Sequence, residues 1–303
     1  MVDQSPVMAD CLVIGGGPAG LTLALYLVRF RRRVILCDAG NSRANLILHS
    51  FNYPGFTNGI SGKNLIKNLR IQAKKFGAIL KDESIKTVEQ AKDGFISTSE
   101  TSRFISKKVV LATGIVDRKP LFPDIKEFIY QGAIRFCPVC DGYEAIGKSI
   151  GVVGPFEEAS AKAFFLRTYS NDITLFINEK ILPADKVEEL SAAGIKIVQG
   201  RLRNLKLASE KVSLVLEDNS SHAFDVLYPS MGYSVRSELA QRIGAQTDEE
   251  GYIITDHDQM TGINGFYAVG DVVKDLSQIC VGAGQAAIAA AAIHKALHPV
   301  YAS

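Results

Sequence analysis

Three hydrophobic regimes follow one another between residues 10 and 38. Cys11-Leu-Val-Ile is a continuous apolar run. Pro18 to Phe30 repeats apolar residues at helical spacing, with Leu21, Leu25 and Val28 on one face. Val34 to Cys37 is a second short apolar run, closed by Asp38. Short runs without alternation suit strands buried on both faces, so the stretch predicts strand, turn, helix, strand. Residues 40–62 carry no period and are expected to be irregular. Asn64 to Phe76 is amphipathic and stops at Gly77, where a helix can end in the left-handed region. From Ile79 to Val110 the pattern alternates around turn signals such as Lys92-Asp93-Gly94, which predicts an antiparallel excursion. Val109 to Gly114 then reads as a buried strand reaching a turn.

The first order of elements returns in the second half. Lys148 to Val153 predicts a strand, Pro155 to Tyr169 a helix and Asp172 to Ile177 another strand. Alternation resumes at Leu202 to Leu216. Residues 264–271 form a strand ending in Gly270-Asp271, and an alanine-rich helix is expected from about Gly282 to Leu297. The pattern implies an α/β chain with two nucleotide-domain-like units. The crossings between them are expected in the Pro- and Gly-containing stretches near 117–123 and 232–246.

Composition narrows the class. The 303 residues suit two domains better than one core, and 47% apolar with 22% charged residues is a globular balance. A formal charge of +2 without a basic stripe argues against nucleic acid as a partner. The most apolar stretch, around Ala286 to Ile293, is shorter than a membrane span needs. The first apolar run follows Asp10 and enters a glycine turn, unlike a signal peptide, so a cytoplasmic location is expected. Of five cysteines, Cys11, Cys37 and Cys280 lie in apolar runs and read as small hydrophobes.

Two motifs carry chemistry. In Gly15-x-Gly17-x-x-Gly20, the first glycine permits a tight turn and the second lets the backbone approach a pyrophosphate. The third lets the helix pack on the strand. Pro18 and Ala19 open that helix, whose free N–H groups attract phosphates, and Asp38 ends the next strand, where an acid can hold a ribose. This fits NAD or FAD. Gly270-Asp271, beside a late helix N-terminus, favours FAD. The second motif is Cys137-Pro-Val-Cys140-Asp141. Zinc would need two more ligands, but there is no second Cys-x-x-Cys, and His222 and His257 are isolated; no metal is expected. Such a spacing lowers the pKa of one thiol, which favours redox use, and Asp141 could protonate a leaving thiolate.

With these motifs in place the chain resembles the low-molecular-weight thioredoxin reductases over nearly its whole length. The matching pieces are the Gly15–Gly20 turn, Asn52-Tyr-Pro-Gly-Phe, Gln72-Ala-Lys-Lys-Phe-Gly-Ala, Leu111-Ala-Thr-Gly, Cys137-Pro-Val-Cys-Asp-Gly, Gly270-Asp271 and Gln278. The resemblance implies a homodimer of two Rossmann-like, three-layer nucleotide-binding domains, the second inserted into the first. The FAD-binding domain would span 1–118 and 244–303, and 119–243 would carry the dithiol. It implies that Cys140 faces the flavin and that Cys137 exchanges with the disulfide of a thioredoxin-like protein or small dithiol. It places Asn52, Thr113, Gly114, Asp271, Gln278 and Ile279 at FAD.

The departures from that family bear on the electron donor. Its second glycine-rich turn has the form Gly-x-Gly-x-x-Ala, where this chain has Gly154-Pro-Phe-Glu-Glu-Ala159. Phe156 is expected to fill space needed by a pyrophosphate, and Glu157 and Glu158 to repel it. Its His-Arg-Arg stretch is replaced by Ile177-Asn-Glu179, which removes the arginines for the extra phosphate of NADPH. Near the flavin, a Gly-Gly-Gln segment is replaced by Asn41-Ser-Arg43, followed by His49; both Arg43 and His49 are candidate flavin contacts. NADPH is therefore not the expected donor. The pattern resembles ferredoxin-linked, degenerate cyanobacterial-type and diflavin-linked branches, and also oxygen-using dithiol oxidases. A flavin-binding sensor without turnover is the remaining alternative. A second flavin, or a ring such as Tyr301, could cover the FAD.

Overall fold

The computed structural model describes residues 6–118, 125–179, 181–208 and 211–299. Tyr301 lies outside them. The chain divides into two compact units: residues up to 49, 59–116 and from 234 onward form the first, and residues 50–58 and 117–233 the second.

The first unit begins with β1 (Val7–Ile14), α1 (Pro18–Arg29), β2 (Val34–Cys37), α2 (Gly62–Lys75), β3 (Ile79–Lys81), β4 (Thr87–Ala91), β5 (Gly94–Thr98) and β6 (Arg103–Leu111). At the crossings, β7 (Ile115–Asp117) pairs with β15 (Tyr233–Val235). The second unit holds α3 (Ile125–Tyr130), α4 (Pro138–Asp141), β8 (Ile150–Val153), α5 (Phe156–Leu166), β9 (Ile173–Ile177), α6 (Ala184–Ala192), β10 (Ile195–Gln199), β11 (Leu202–Ala208), β12 (Lys211–Leu216), β13 (Ser221–Phe224) and β14 (Val226–Pro229). The chain then returns to the first unit through α7 (Glu238–Arg242), β16 (Phe266–Ala268) and α8 (Ile279–Ala296).

In the first unit the sheet order is β3-β2-β1-β6-β5-β4, with β16 also pairing β6. β1, β2, β3, β6 and β16 run parallel. The side-chain period of two sends alternate residues of each strand into different layers. Cys11, Val13, Val34, Leu36, Val110 and Tyr267 pack in one core with α1, α2 and α8. Leu12, Ile14, Ile35, Cys37, Val109 and Phe266 pack in the other, with Phe95, Phe104 and Ala240. Apolar runs without alternation are what such a doubly covered sheet requires. The antiparallel excursion starts later than the alternation suggests: β3 joins parallel to β2, and only the β4–β5 and β5–β6 pairings are antiparallel.

α1 differs from a one-faced helix. Leu21, Leu23, Ala24, Leu25, Leu27 and Val28 are all buried because α2 and α8 cover it from two sides. α8 begins at Ile279, three residues before the expected start, and its 18 residues pass the length and composition of a membrane-crossing helix. Its Ala286, Ala289, Ala290 and Ile293 are core residues packed with α1, the behaviour of a core helix. Cys11 and Cys37 are buried; Cys280, expected to be equally buried, is exposed on the first turn of α8.

The second unit repeats the plan on a smaller scale. Its parallel sheet runs β10-β9-β8-β14, with α5 and α6 contributing Phe156, Ala159, Ala163, Leu166 and Leu190 to its core. The alternation at 202–216 belongs to the antiparallel sheet β11-β12-β13.

Candidate functional site

In the first unit the glycine turn between β1 and α1 builds a cradle. Gly15 has φ +115°, and a Cβ there would come 2.2 Å from the Ala112 carbonyl oxygen. A Cβ on Gly20 would lie 2.1 Å from the Gly15 carbonyl oxygen, so α1 sits directly on the turn. Gly17 is the N-cap of α1 and Pro18 follows at N1; no side chain caps the helix. A Cβ on Gly17 would meet only Ser42 Oγ, at 3.4 Å, so the turn is open on that side.

The distant Gly270-Asp271 segment reaches the same place. Cβ atoms built on Gly270 and on Gly282 of α8 would each approach Ala19 Cβ, at 2.9 and 3.2 Å. The N-termini of α1 and α8 therefore converge. α8, with Gln278 as its N-cap and Ile279 first in the helix, has no side-chain cap bond either. Two positive dipole ends facing one space form an anion site. Arg43, which opens a 3-10 turn, places Nη1 3.4 Å from Asp271 Oδ2. Asp38 sits at the edge of the turn, where a Cβ on Gly16 would come 2.3 Å from its Oδ2. It accepts from the Gly40 amide at 3.1 Å and from Arg70 Nη1 at 3.2 Å. A diphosphate-linked nucleotide such as FAD fits these features; Gly15–Gly20, Gly270 and the two helix ends would hold its phosphates, and Asp38 could hold a ribose.

Gln285 was not singled out by sequence. Buried on α8, its Oε1 accepts from the Gly270 amide at 2.7 Å, and its Nε2 donates to Asp275 Oδ2 at 3.3 Å. It fixes the turn that carries Asp271. The signal was present: a lone amide within the alanine-rich run.

The remaining predicted contacts fall in varied places. Gly114 has φ +68° and open space where a Cβ would be. The Thr113 hydroxyl donates to the Arg236 carbonyl at 2.6 Å, tying β6 to the returning chain. His49 is exposed at the end of the first unit. Asn52 belongs to the second unit, where its Nδ2 donates to the Val139 carbonyl at 3.3 Å and its Oδ1 accepts from Ser50 at 2.9 Å.

The dithiol lies in the second unit. Cys137 is the N-cap of α4, Pro138 presets its first turn, and the Cys140 amide donates to the Cys137 carbonyl at 2.9 Å. The two cysteines form a disulfide with Cα atoms 5.3 Å apart. Lys162 on α5 donates to the carbonyls of Phe136, at 3.2 Å, and Pro229, at 2.8 Å, which anchors the approach to Cys137. A Cβ on Gly142 would come 2.5 Å from the Pro138 carbonyl oxygen, so glycine lets α4 close.

Asp141 ends α4. Tyr228, fully buried on β14, donates its hydroxyl to Asp141 Oδ1 at 2.8 Å, and Arg135 Nη1 donates to the Asp141 carbonyl at 2.9 Å. Burial pushes the Asp141 carboxyl up to about 6, against the hydrogen bond from Tyr228 and the charges of Arg135 and Lys162; Glu144 adds to the rise. An acid placed there exchanges protons near neutral pH. Among the described residues no group of three or more His, Cys, Asp and Glu side chains is gathered to hold a metal.

The second glycine-rich turn corrects one expectation. The Phe156 ring does not stand in phosphate space; it is 5% exposed and packs in the core with Val152, Ala159 and Tyr228. Being first in α5, it directs its side chain inward. The anion position at the helix end is held by Glu179 instead. Its Oε1 accepts from the Phe156 amide at 2.9 Å and its Oε2 from the Asn178 amide at 3.1 Å. Glu157 and Glu158 are exposed on the first turn of α5.

The model of the pyridine nucleotide-disulphide oxidoreductase family matches residues 9–296. The thioredoxin reductase of Treponema pallidum is 29% identical over 293 residues, which cover 93% of this chain and 94% of that protein. Among solved structures, the thioredoxin reductase of Streptococcus pyogenes aligns with a TM-score of 0.88 at 27% identity, covering 96% of this chain and 98% of that one. HlmI aligns with a TM-score of 0.88 at 28% identity, covering 97% and 93%.

Proposed function

We propose a function from one premise: this chain belongs to the pyridine nucleotide-disulphide oxidoreductase family, as an FAD-dependent, thioredoxin-reductase-like disulfide oxidoreductase. Its substrate is the disulfide of a thioredoxin-like protein or of a small dithiol, and its donor is an electron carrier such as ferredoxin, not NADPH. The reading takes the chain as a cytoplasmic homodimer, as its likeness to thioredoxin reductases implies. The observation that carries the disulfide chemistry is the Cys137–Cys140 bond next to the half-buried Asp141.

The Gly15–Gly20 turn and the N-termini of α1 and α8 would hold FAD, which when bound would supply the two electrons for reducing the Cys137–Cys140 disulfide, and Cys140 would be the flavin-side sulfur. In the reduced chain the Cys137 thiolate attacks the partner disulfide. The partner S–S bond breaks, a mixed disulfide forms on Cys137, and the leaving thiolate takes the proton held on Asp141. The Asp141 carboxylate then accepts the proton of Cys140. The Cys140 thiolate attacks Cys137 Sγ, the intramolecular disulfide re-forms, and the second partner thiolate leaves with that proton. The partner gains two electrons and the dithiol loses two.

Glu179 supports the donor assignment. A pyrophosphate at α5 would have to displace a carboxylate that already accepts two amides. It would also face Glu157 and Glu158, at about a kcal/mol or more per contact, without arginine partners worth roughly 1.5–3 kcal/mol each. The test is anaerobic stopped-flow of the yellow protein with NADPH, NADH and a reduced ferredoxin. The reading requires that only the carrier protein bleach the flavin on the turnover timescale. Rapid bleaching by micromolar NADPH would overturn it.

A further inference from the structure

The Asp141 carboxylate is held by a group that neither the dithiol motif nor the glycine turns announce. Tyr228 lies on β14, an edge strand of the parallel sheet of the second unit, where it is fully buried, and its phenol reaches 2.8 Å to Asp141 Oδ1. β14 is fixed in register against β8, with Tyr228 opposite Val152, so the phenol's position is set by the sheet and not by the short α4. The other charged groups acting on Asp141 are Arg135, which donates to its carbonyl, Lys162 on α5, and Glu144 in the following 3-10 turn.

We propose that Tyr228 is a positioning residue for the proton-transfer step: it fixes the Asp141 carboxylate relative to the dithiol and stabilises the ionised form that each proton release leaves. This rests on Asp141 being the acid–base group of the proposed reaction. Three features carry the assignment. The bond occupies Oδ1, which leaves Oδ2 as the oxygen that carries the exchanging proton. A phenol donates to a carboxylate more strongly than to its neutral acid, so the bond favours the ionised form against burial. Burial and the neighbouring Asp141 raise the phenol's own pKa far above its ordinary value, so Tyr228 stays a donor throughout the neutral range and is not itself the acid. Arg135 donates to the Asp141 backbone carbonyl and acts on the carboxylate only through its charge.

Tyr228→Phe removes only the hydroxyl and keeps the ring in the core. The full-length protein, reduced anaerobically, is mixed with oxidised glutathione, an alkyl disulfide whose leaving thiolate needs a proton. Single-turnover thiol release is followed across the neutral pH range. In parallel, the Asp141 carboxyl carbon of the oxidised protein is titrated by NMR, assigned by its loss in Asp141→Asn. Loss of a charged hydrogen bond of this kind corresponds to about one pH unit or more. The expected result is that Tyr228→Phe moves both the carboxyl titration and the alkaline limb of the rate upward by that amount. Asp141→Asn should abolish the limb. If Asp141→Asn leaves the limb in place, the acid role itself is wrong. If Asp141→Asn removes it while Tyr228→Phe shifts neither the titration nor the limb, the role of Tyr228 alone is overturned.

Discussion

At the scale of single residues, Asp141 trades stability for chemistry. Its folded pKa of about 6 exceeds the ordinary 3.8, so the folded chain binds the extra proton between those values. The cost of ionising it accumulates as pH rises through that window and persists in full above it. Asp141→Asn should therefore raise the thermal midpoint relative to wild type at about pH 7.5 but not at about pH 4, while slowing disulfide exchange by about 10²–10⁴-fold. Equal shifts at both pH values would show that the carboxyl is not perturbed as described. Gln285 is the matching residue in the first unit. Gln285→Ala leaves the Gly270 amide without its acceptor, at about 1–3 kcal/mol, and should weaken flavin retention on dilution. Unchanged flavin affinity would mean that the Gly270-Asp271 turn holds its form without it. Gln285 left a sequence signal, a lone amide in an alanine-rich run, but the environment of Asp141 left none. Cys137, Cys140 and Asp141 announce themselves by spacing, but Tyr228 comes from a strand 87 residues away in the chain. Its apolar neighbours on β14, Val226 and Leu227, give no hint of a polar partner.

At the scale of elements, glycines and helix ends decide what each unit holds. Gly20→Ala would place a Cβ against the Gly15 carbonyl, so α1 must move off the turn. The expected outcome is a protein that purifies with little or no flavin yet keeps its Cys137–Cys140 disulfide. Stoichiometric flavin in this variant would contradict the close packing of helix on turn. In the second unit, Glu179→Ala removes the carboxylate from the start of α5, a group worth about 0.3–1 kcal/mol at a helix N-terminus. Pyrophosphate at millimolar level should then raise the thermal midpoint of the variant but not of wild type. A wild-type protein stabilised equally well would show that Glu179 does not close the helix end. The repeated strand–turn–helix–strand pattern was readable because buried strands and packed helices leave distinct periods. The roles at the second turn were not. Phe156 and Glu179 are both visible as departures, but which one meets the helix end depends on α5 turning Phe156 into the core. Likewise Asn52, in an aperiodic stretch, carries no mark of the unit it joins.

At the scale of the whole molecule, two units divide the labour. The first gathers segments from both ends of the chain, because Gly270 and α8 complete the cradle begun at β1 and α1. The second supplies the disulfide and its acid. The two-unit α/β plan was legible because each parallel sheet needs apolar strands and crossover helices in a fixed order. The chain passes between the units at 49–50, 58–59, 116–117 and 233–234, and the aperiodic stretch at 40–62 gave no sign of the first two. The central claim is that flavin and dithiol are two redox centres of one catalyst. It is tested most directly by anaerobic dithionite titration of the purified flavoprotein, followed by flavin absorbance and thiol counting. Wild type should take up four electrons per flavin, two in FAD and two in the Cys137–Cys140 disulfide, whereas Cys137→Ser and Cys140→Ser should each take up two. Uptake of only two electrons by wild type, with the disulfide intact at the end point, would contradict it.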